Sequence, residues 1–177
     1  MRALGRLIVW LLGLAIVILI ASKLLLEPTY AVSSQVVIHA PPGRVWDKVG
    51  NLEQWPSWVE GLERFDVALD EGRQAGSFAN AHVYNGFQGW DMEIRLTEVV
   101  PPIRLRYQVA GGPVNGVQSV IELTPSNDVR STTVTWNEAY TPGGLWGNLL
   151  AFAMKSIVTT HHEESLNQLK FAIERRV

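Results

Sequence analysis

Between residues 65 and 140 apolar and polar residues alternate with a period of two, the pattern of strands buried on one side only. Trp90, Met92, Ile94 and Leu96 oppose Asp91, Glu93, Arg95 and Thr97, and Ile103, Leu105, Tyr107 and Val109 oppose Arg104, Arg106 and Gln108. The pattern predicts five or six strands, over 65–69, 76–84, 90–99, 103–110, 116–123 and 130–140, after a first β-branched strand over 35–40. Turn residues punctuate them: Pro41-Pro42, Asn85-Gly86, Pro101-Pro102, Gly111-Gly112 and the run Pro125 to Asp128. Such short connections favour an antiparallel meander with one apolar face and one wet face.

The period changes to that of helices in three places. After Pro42, a residue suited to a helix's first turn, GRVWDKVGNLEQWPSWVEGL reads as two short helices broken near Gly50-Asn51, with Val45, Trp46 and Val49 on one face. Residues 145–175 contain no proline and only Gly147, and read as one long helix. Its apolar positions fall into two sets, Trp146, Leu149, Leu150, Ala153, Met154 and Ile157, then Val158, Leu166, Leu169 and Ile173. At ~100° per residue the second set is rotated away from the first. Either the helix bends or its first half meets a different partner.

The third helical stretch is the N-terminus, where LIVWLLGLAIVILIAS (residues 7–22) carries no charge and Leu24 to Leu26 follow Lys23. Twenty helical residues cover about 30 Å, the thickness of a bilayer's hydrocarbon core, and a lysine near a helix end can reach the headgroups. The expectation is a membrane anchor within residues 1–27, bounded by Leu7 and Leu26 and including Trp10, then a connector over 28–34 and a globular domain over 35–177. The alternatives are a cleaved signal peptide and a buried core helix. The run is longer than a signal peptide's apolar region, and Leu19 precedes Ala21 where a cleavage site wants a small residue. Arg2 and Arg6 before the span, against Lys23 and Glu27 after it, would keep the N-terminus cytoplasmic and place the domain outside.

Composition narrows the partners. A chain of 177 residues with no cysteine suits one core, without disulfides, thiolate metal sites or cysteine nucleophiles. The net charge is -2, and beyond residue 27 twelve basic residues face sixteen acidic ones. A mildly acidic domain lacks the charge that drives nucleic-acid binding and is repelled by anionic headgroups. No serine-nucleophile motif, phosphate-cradling glycine loop or dinucleotide fingerprint is present, so no cofactor is expected.

The order of strand, two short helices, antiparallel sheet and long final helix is an α+β helix-grip arrangement, and particular residues sharpen the likeness. VVIHAPPGRVWDKVGNLEQWPSWVEGL resembles the opening of the polyketide cyclase/dehydrase-like branch of the START-related superfamily. VTWNEAY (134–140) resembles its last strand and ESLNQLKFAIE (164–174) its helix end. The resemblance implies a curved sheet wrapped on the last helix with a cavity between them. It also implies binding of hydrophobic or amphipathic small molecules, such as lipids, sterols or polyketides, with cyclisation or dehydration in a minority of members. Pro41, Pro42, Trp46, Trp55, Pro56 and Trp58 read as scaffold.

The histidines and acids are the chemical candidates. THHEES (160–165) gathers ligating residue types, but adjacent helical residues diverge by ~100°, so His161 and His162 do not converge on a metal and none is expected. His162 continues the stripe of Val158, Leu166, Leu169 and Ile173, where the family usually has an apolar residue, while Glu163 and Glu164 face water. It is either a satisfied core histidine or a polar anchor in an apolar pocket. Glu138 shares strand parity with Val134 and Trp136; a solvated strand end is the favoured reading, and an inward position would pair it with His162 for proton transfer. His82 lies on a mixed face. Trp90, Met92, Tyr107 and Trp136 are expected to line the cavity with His162. Three functions follow: a membrane-anchored binder of a hydrophobic small molecule or lipid, a cyclase or dehydratase using His162, Glu138 or Tyr107, and a structural module of an envelope complex.

Overall fold

A computed structural model describes residues 2–25, 29–68, 73–84, 89–112, 116–141 and 144–175. Helix α1 (Arg2–Leu25) comes first, then strand β1 (Tyr30–Ile38), helix α2 (Pro42–Val49) and a 3-10 helix (Leu52–Ser57). Strands β2 (Leu62–Ala68), β3 (Phe78–Tyr84), β4 (Gly89–Val100), β5 (Arg104–Gly111), β6 (Val117–Pro125) and β7 (Thr132–Tyr140) follow, and helix α3 (Gly144–Glu174) ends the order. The seven strands form one sheet in the order β1-β7-β6-β5-β4-β3-β2, with every pair antiparallel. The helix-grip arrangement expected from the sequence is therefore present, with α3 packed on the sheet.

Two boundaries differ from the sequence reading. β1 starts at Tyr30, not Gln35, and pairs residue by residue with β7 from Tyr30↔Tyr140 to Ile38↔Thr132. Its inward row contains Tyr30, Val32 and Ser34, and the serine breaks the apolar signal that would have marked the strand. Most of the predicted connector is thus sheet. Ile103 belongs to the turn before β5 and is exposed, so its place in the alternation was accidental. The Asn85-Gly86 turn lies outside the described residues.

The short helices are built from local chemistry. α2 begins on Pro42 and stops at Gly50, where a β-carbon would run into the Trp46 indole. Asn51 then caps the 3-10 helix by accepting the Glu53 N–H at 3.0 Å. Trp55 is held by its Nε1 donating to the Val49 carbonyl at 3.0 Å, and its ring meets Trp58, Phe65 and Tyr107. These aromatics join Val45, Val49 and Leu52 to the sheet's apolar face.

Among the described side chains of α3, His162, Ser165, Leu166, Leu169 and Ile173 are the most deeply buried, against that core, at the three- and four-residue spacing of one helix face. Its far end is pinned from outside: Arg44 Nη2 donates to the Ile173 carbonyl at 3.0 Å, and the His39 N–H donates to Glu174 Oε1 at 2.8 Å. That N–H holds the Glu174 carboxyl below its ordinary range.

The N-terminal helix requires a correction. Among the described residues no helix is long and apolar enough to cross a membrane, so the span expected within 1–27 is not supplied by the structure. Leu26, its expected limit, lies outside the described residues. What α1 does present is a series of exposed apolar side chains, including Leu7, Leu11, Leu14 and Ile18, with Trp10 the most exposed at 79%.

Candidate functional site

The curve of the sheet and the middle of α3 enclose a cavity of about 770 Å³, within the size range of small-molecule sites. β4 contributes Trp90, Met92 and Ile94, β5 contributes Tyr107 and Val109, β7 contributes Trp136, Glu138 and Tyr140, and α3 contributes Met154, Ile157, Val158 and His161. The inward alternation of each strand delivers these side chains to one face. Gly111, at φ +90°, closes the β5 end, where a β-carbon would approach the Asp91 carbonyl oxygen to 2.7 Å. Met154 and Ile157, from the first apolar set of α3, face the cavity, while Leu166, Leu169 and Ile173 from the second are in the core. Val158 of the second set lines the cavity beside Met154 and Ile157, so the change of surroundings falls after Val158; the side chains of Trp146, Leu149, Leu150 and Ala153 lie outside the described residues.

Trp90, Met92, Tyr107 and Trp136 lie in the wall. His162 does not. Its side chain, 1% exposed, lies flat on the inner side of Trp136, ring centroids 4.0 Å apart and 11° from parallel. The histidine that reaches the wall is His161. The ~100° step between adjacent residues keeps the two rings apart, yet α3, gripped by the sheet, buries His162 and still turns His161 to the cavity.

Glu138 is also inward, contrary to the solvated position favoured from sequence. Its side chain is 14% exposed and lines the cavity. Glu138 Oε2 accepts from Ser119 Oγ at 3.0 Å and stands 3.3 Å from His162 Nε2. Since His162 Nδ1 is buried without a partner among the described residues, a proton on Nε2 is the arrangement that satisfies the pair, leaving only a lone pair unmatched on the other nitrogen. Ser119 was missed by the sequence reading, although it is the polar member of the row Val117, Ser119, Ile121 and Leu123, whose members are all buried. A hydroxyl in such a row marks a local partner for something polar.

The electrostatics follow from burial. Removal from water, and then the Glu138 carboxylate, push the Tyr107 hydroxyl well above its ordinary value, with Ser119 and Trp136 acting in the opposite direction. Tyr107 is therefore a hydrogen-bonding hydroxyl and not a phenolate base. His161 is pushed below the usual imidazole range by burial and then by His162, against the pull of Glu138 and Glu60. It is held uncharged at neutral pH.

His82 is elsewhere: its Nδ1 meets Asp91 Oδ1 at 2.8 Å across the β3–β4 pair. The rings of His161 and His162 are 6.2 Å apart and tilted by 52°. Among the described residues no group of three histidines or acids could hold a metal. The site thus offers apolar and aromatic walls, the Glu138 carboxylate tied to a serine and a histidine, further carboxylates at Glu60, Glu63 and Glu164, the His161 imidazole and the buried phenols of Tyr107 and Tyr140. It can hold an apolar body and hydrogen-bond a head group, and Glu138 is placed to take a proton.

Solved structures share this architecture. An aromatase/cyclase named Zhui from a Streptomyces species superimposes with a TM-score of 0.69 at 17% identity, covering 84% of this chain and 95% of that one. TTHA0849 from Thermus thermophilus gives 0.66 at 19%, over 83% and 99% of the two chains. Ara h 8.0201 gives 0.66 at 10%, also over 83% and 99%. At such identities the likeness establishes the fold alone. Curated protein sequences give no match. A family pattern is more specific: the one described as polyketide cyclase/dehydrase and lipid transport matches residues 29–174, from the residue before β1 to the last residue of α3. With every element of the grip inside that match, the chain belongs to the polyketide cyclase/dehydrase and lipid transport family.

Proposed function

We propose that this protein binds a hydrophobic small molecule or lipid in the cavity between the sheet and α3, without transforming it. The observation that carries this reading is the inner wall: Trp90, Met92, Val109 and Trp136 make it apolar and aromatic, and its carboxylate, Glu138, is engaged by Ser119, while the lining glutamates Glu63 and Glu164 are exposed. Aromatic walls suit flat or elongated apolar bodies. Native mass spectrometry of the full chain released from detergent tests it. A retained apolar mass is expected, and only the bare chain mass in every charge state would refute it.

The same reading places the domain at a membrane through α1, on the extracytoplasmic side. Its supports are the uncharged run over 7–22 and the exposed leucines, isoleucines and Trp10 along the helix, surface that favours an apolar surrounding. Membrane fractionation with a reporter at the C-terminus tests both points. Recovery in the aqueous fraction refutes the attachment, and a reporter active only in the cytoplasm refutes the orientation.

A second reading, a cyclase or dehydratase acting in the same cavity, is favoured by one observation: Glu138 lines the wall with His162 behind it at 3.3 Å. Such a pair suits proton abstraction beside a carbonyl. The chain then needs an inward electrophile-stabilising donor, a role open to Tyr107 or His161.

A further inference from the structure

Among the described residues, the charged side chains that line the cavity all have one sign. Glu60, Glu63, Glu138 and Glu164 line it, and no lysine or arginine is among the lining residues. In the sequence, residues 85–88, 113–115 and 142–153 contain no basic residue, and Lys155 is exposed and outside the lining. The one group that could carry a positive charge, His161, faces the cavity with its ring nitrogens in no hydrogen bond among the described residues. Burial and His162 keep that imidazole uncharged at neutral pH, so it does not offset the glutamates. A head group entering this space meets carboxylates that accept hydrogen bonds and repel anions, in surroundings where water screens charge weakly.

We infer that the cavity selects by charge, taking amphiphiles whose head is uncharged or cationic and carries a donor hydrogen, and turning away those with an anionic head. This rests on the binding reading above and specifies its ligand class. Glu138, fixed by Ser119, accepts the head's hydrogen deep in the wall, while Glu63 and Glu164, both exposed, set the field at the mouth.

The test uses three amphiphiles of one chain length: hexadecanol, hexadecylamine and hexadecyl sulfate. The immobilised full chain in a neutral detergent is exposed to an equimolar mixture at pH 7.5, washed and extracted, and each compound is quantified by mass spectrometry. A Val109→Trp/Val158→Trp variant, whose two added rings crowd the cavity from the sheet and from α3, gives the uptake due to detergent and α1. Above that background, the sulfate should be retained at least tenfold less than the alcohol. The deficit should shrink at least threefold in Glu138→Gln, and also in Glu63→Gln/Glu164→Gln, which alters only exposed carboxylates. Retention of the sulfate at or above the alcohol, or an unchanged deficit in both variants, overturns the inference while leaving the binding reading intact. If none of the three exceeds background, both fall.

Discussion

His162 stacks on Trp136 at 4.0 Å between ring centroids and directs its Nε2 to Glu138 at 3.3 Å, so one buried imidazole backs both an aromatic wall residue and the wall's innermost carboxylate. The histidine is a support behind the cavity and not a contact within it.

That relationship predicts a stability cost. His162→Phe preserves a flat ring against Trp136 but leaves Glu138 with Ser119 as its remaining partner. Loss of a buried hydrogen bond to a charged group costs about 1.5–3 kcal/mol, measured as a shift in the urea midpoint at unchanged slope. A variant as stable as the parent would show that the contact contributes nothing.

Tyr107 supplies an alkaline prediction. Burial and Glu138 raise its pKa in the folded state, and Tyr140 is raised in the same way. A tyrosine with a raised folded pKa stabilises fully below the unfolded value near ~10 and loses that contribution as pH rises above it. Stability should therefore fall between about pH 9.5 and 11, and less steeply in Tyr107→Phe, which removes the titrating phenol. Equal slopes in urea denaturation series would contradict the burial of this hydroxyl.

On the acid side His161 acts with the opposite sense. Its folded pKa lies below the unfolded value near ~6.5, so the unfolded chain binds more protons and stability falls as pH drops from about 7 through the folded value. His161→Gln should flatten this limb of the curve, read as the urea midpoint from pH 7.5 to 5. An unchanged limb would mean that the ring is solvated and does not face the cavity.

The fold was largely legible because alternation and turn residues are written locally: Trp90 to Leu96 on β4 needs no tertiary knowledge to be read as a half-buried strand. β1 was cut short because Ser34, a polar residue, occupies an inward position. The site was less legible. Strand parity put Trp90, Met92, Tyr107 and Trp136 on the cavity side and made Glu138 an inward candidate, but parity does not say where a strand leaves the sheet's cover. For the histidines the deciding quantity is the arc of α3 that the sheet encloses, which depends on curvature and not on any local pattern. A step of ~100° separates His161 from His162, and that step exchanged the lining residue for the supporting one.

The central claim is that the cavity holds an apolar ligand, and its most direct test compares the parent chain with Val109→Trp/Val158→Trp, whose two rings crowd the cavity from both sides, each purified full length in the same detergent. Organic extraction and mass spectrometry should recover an apolar compound near one equivalent from the parent and at least tenfold less from the variant, with matching circular dichroism. The same compound in equal amount from both, or none from the parent, would contradict the claim.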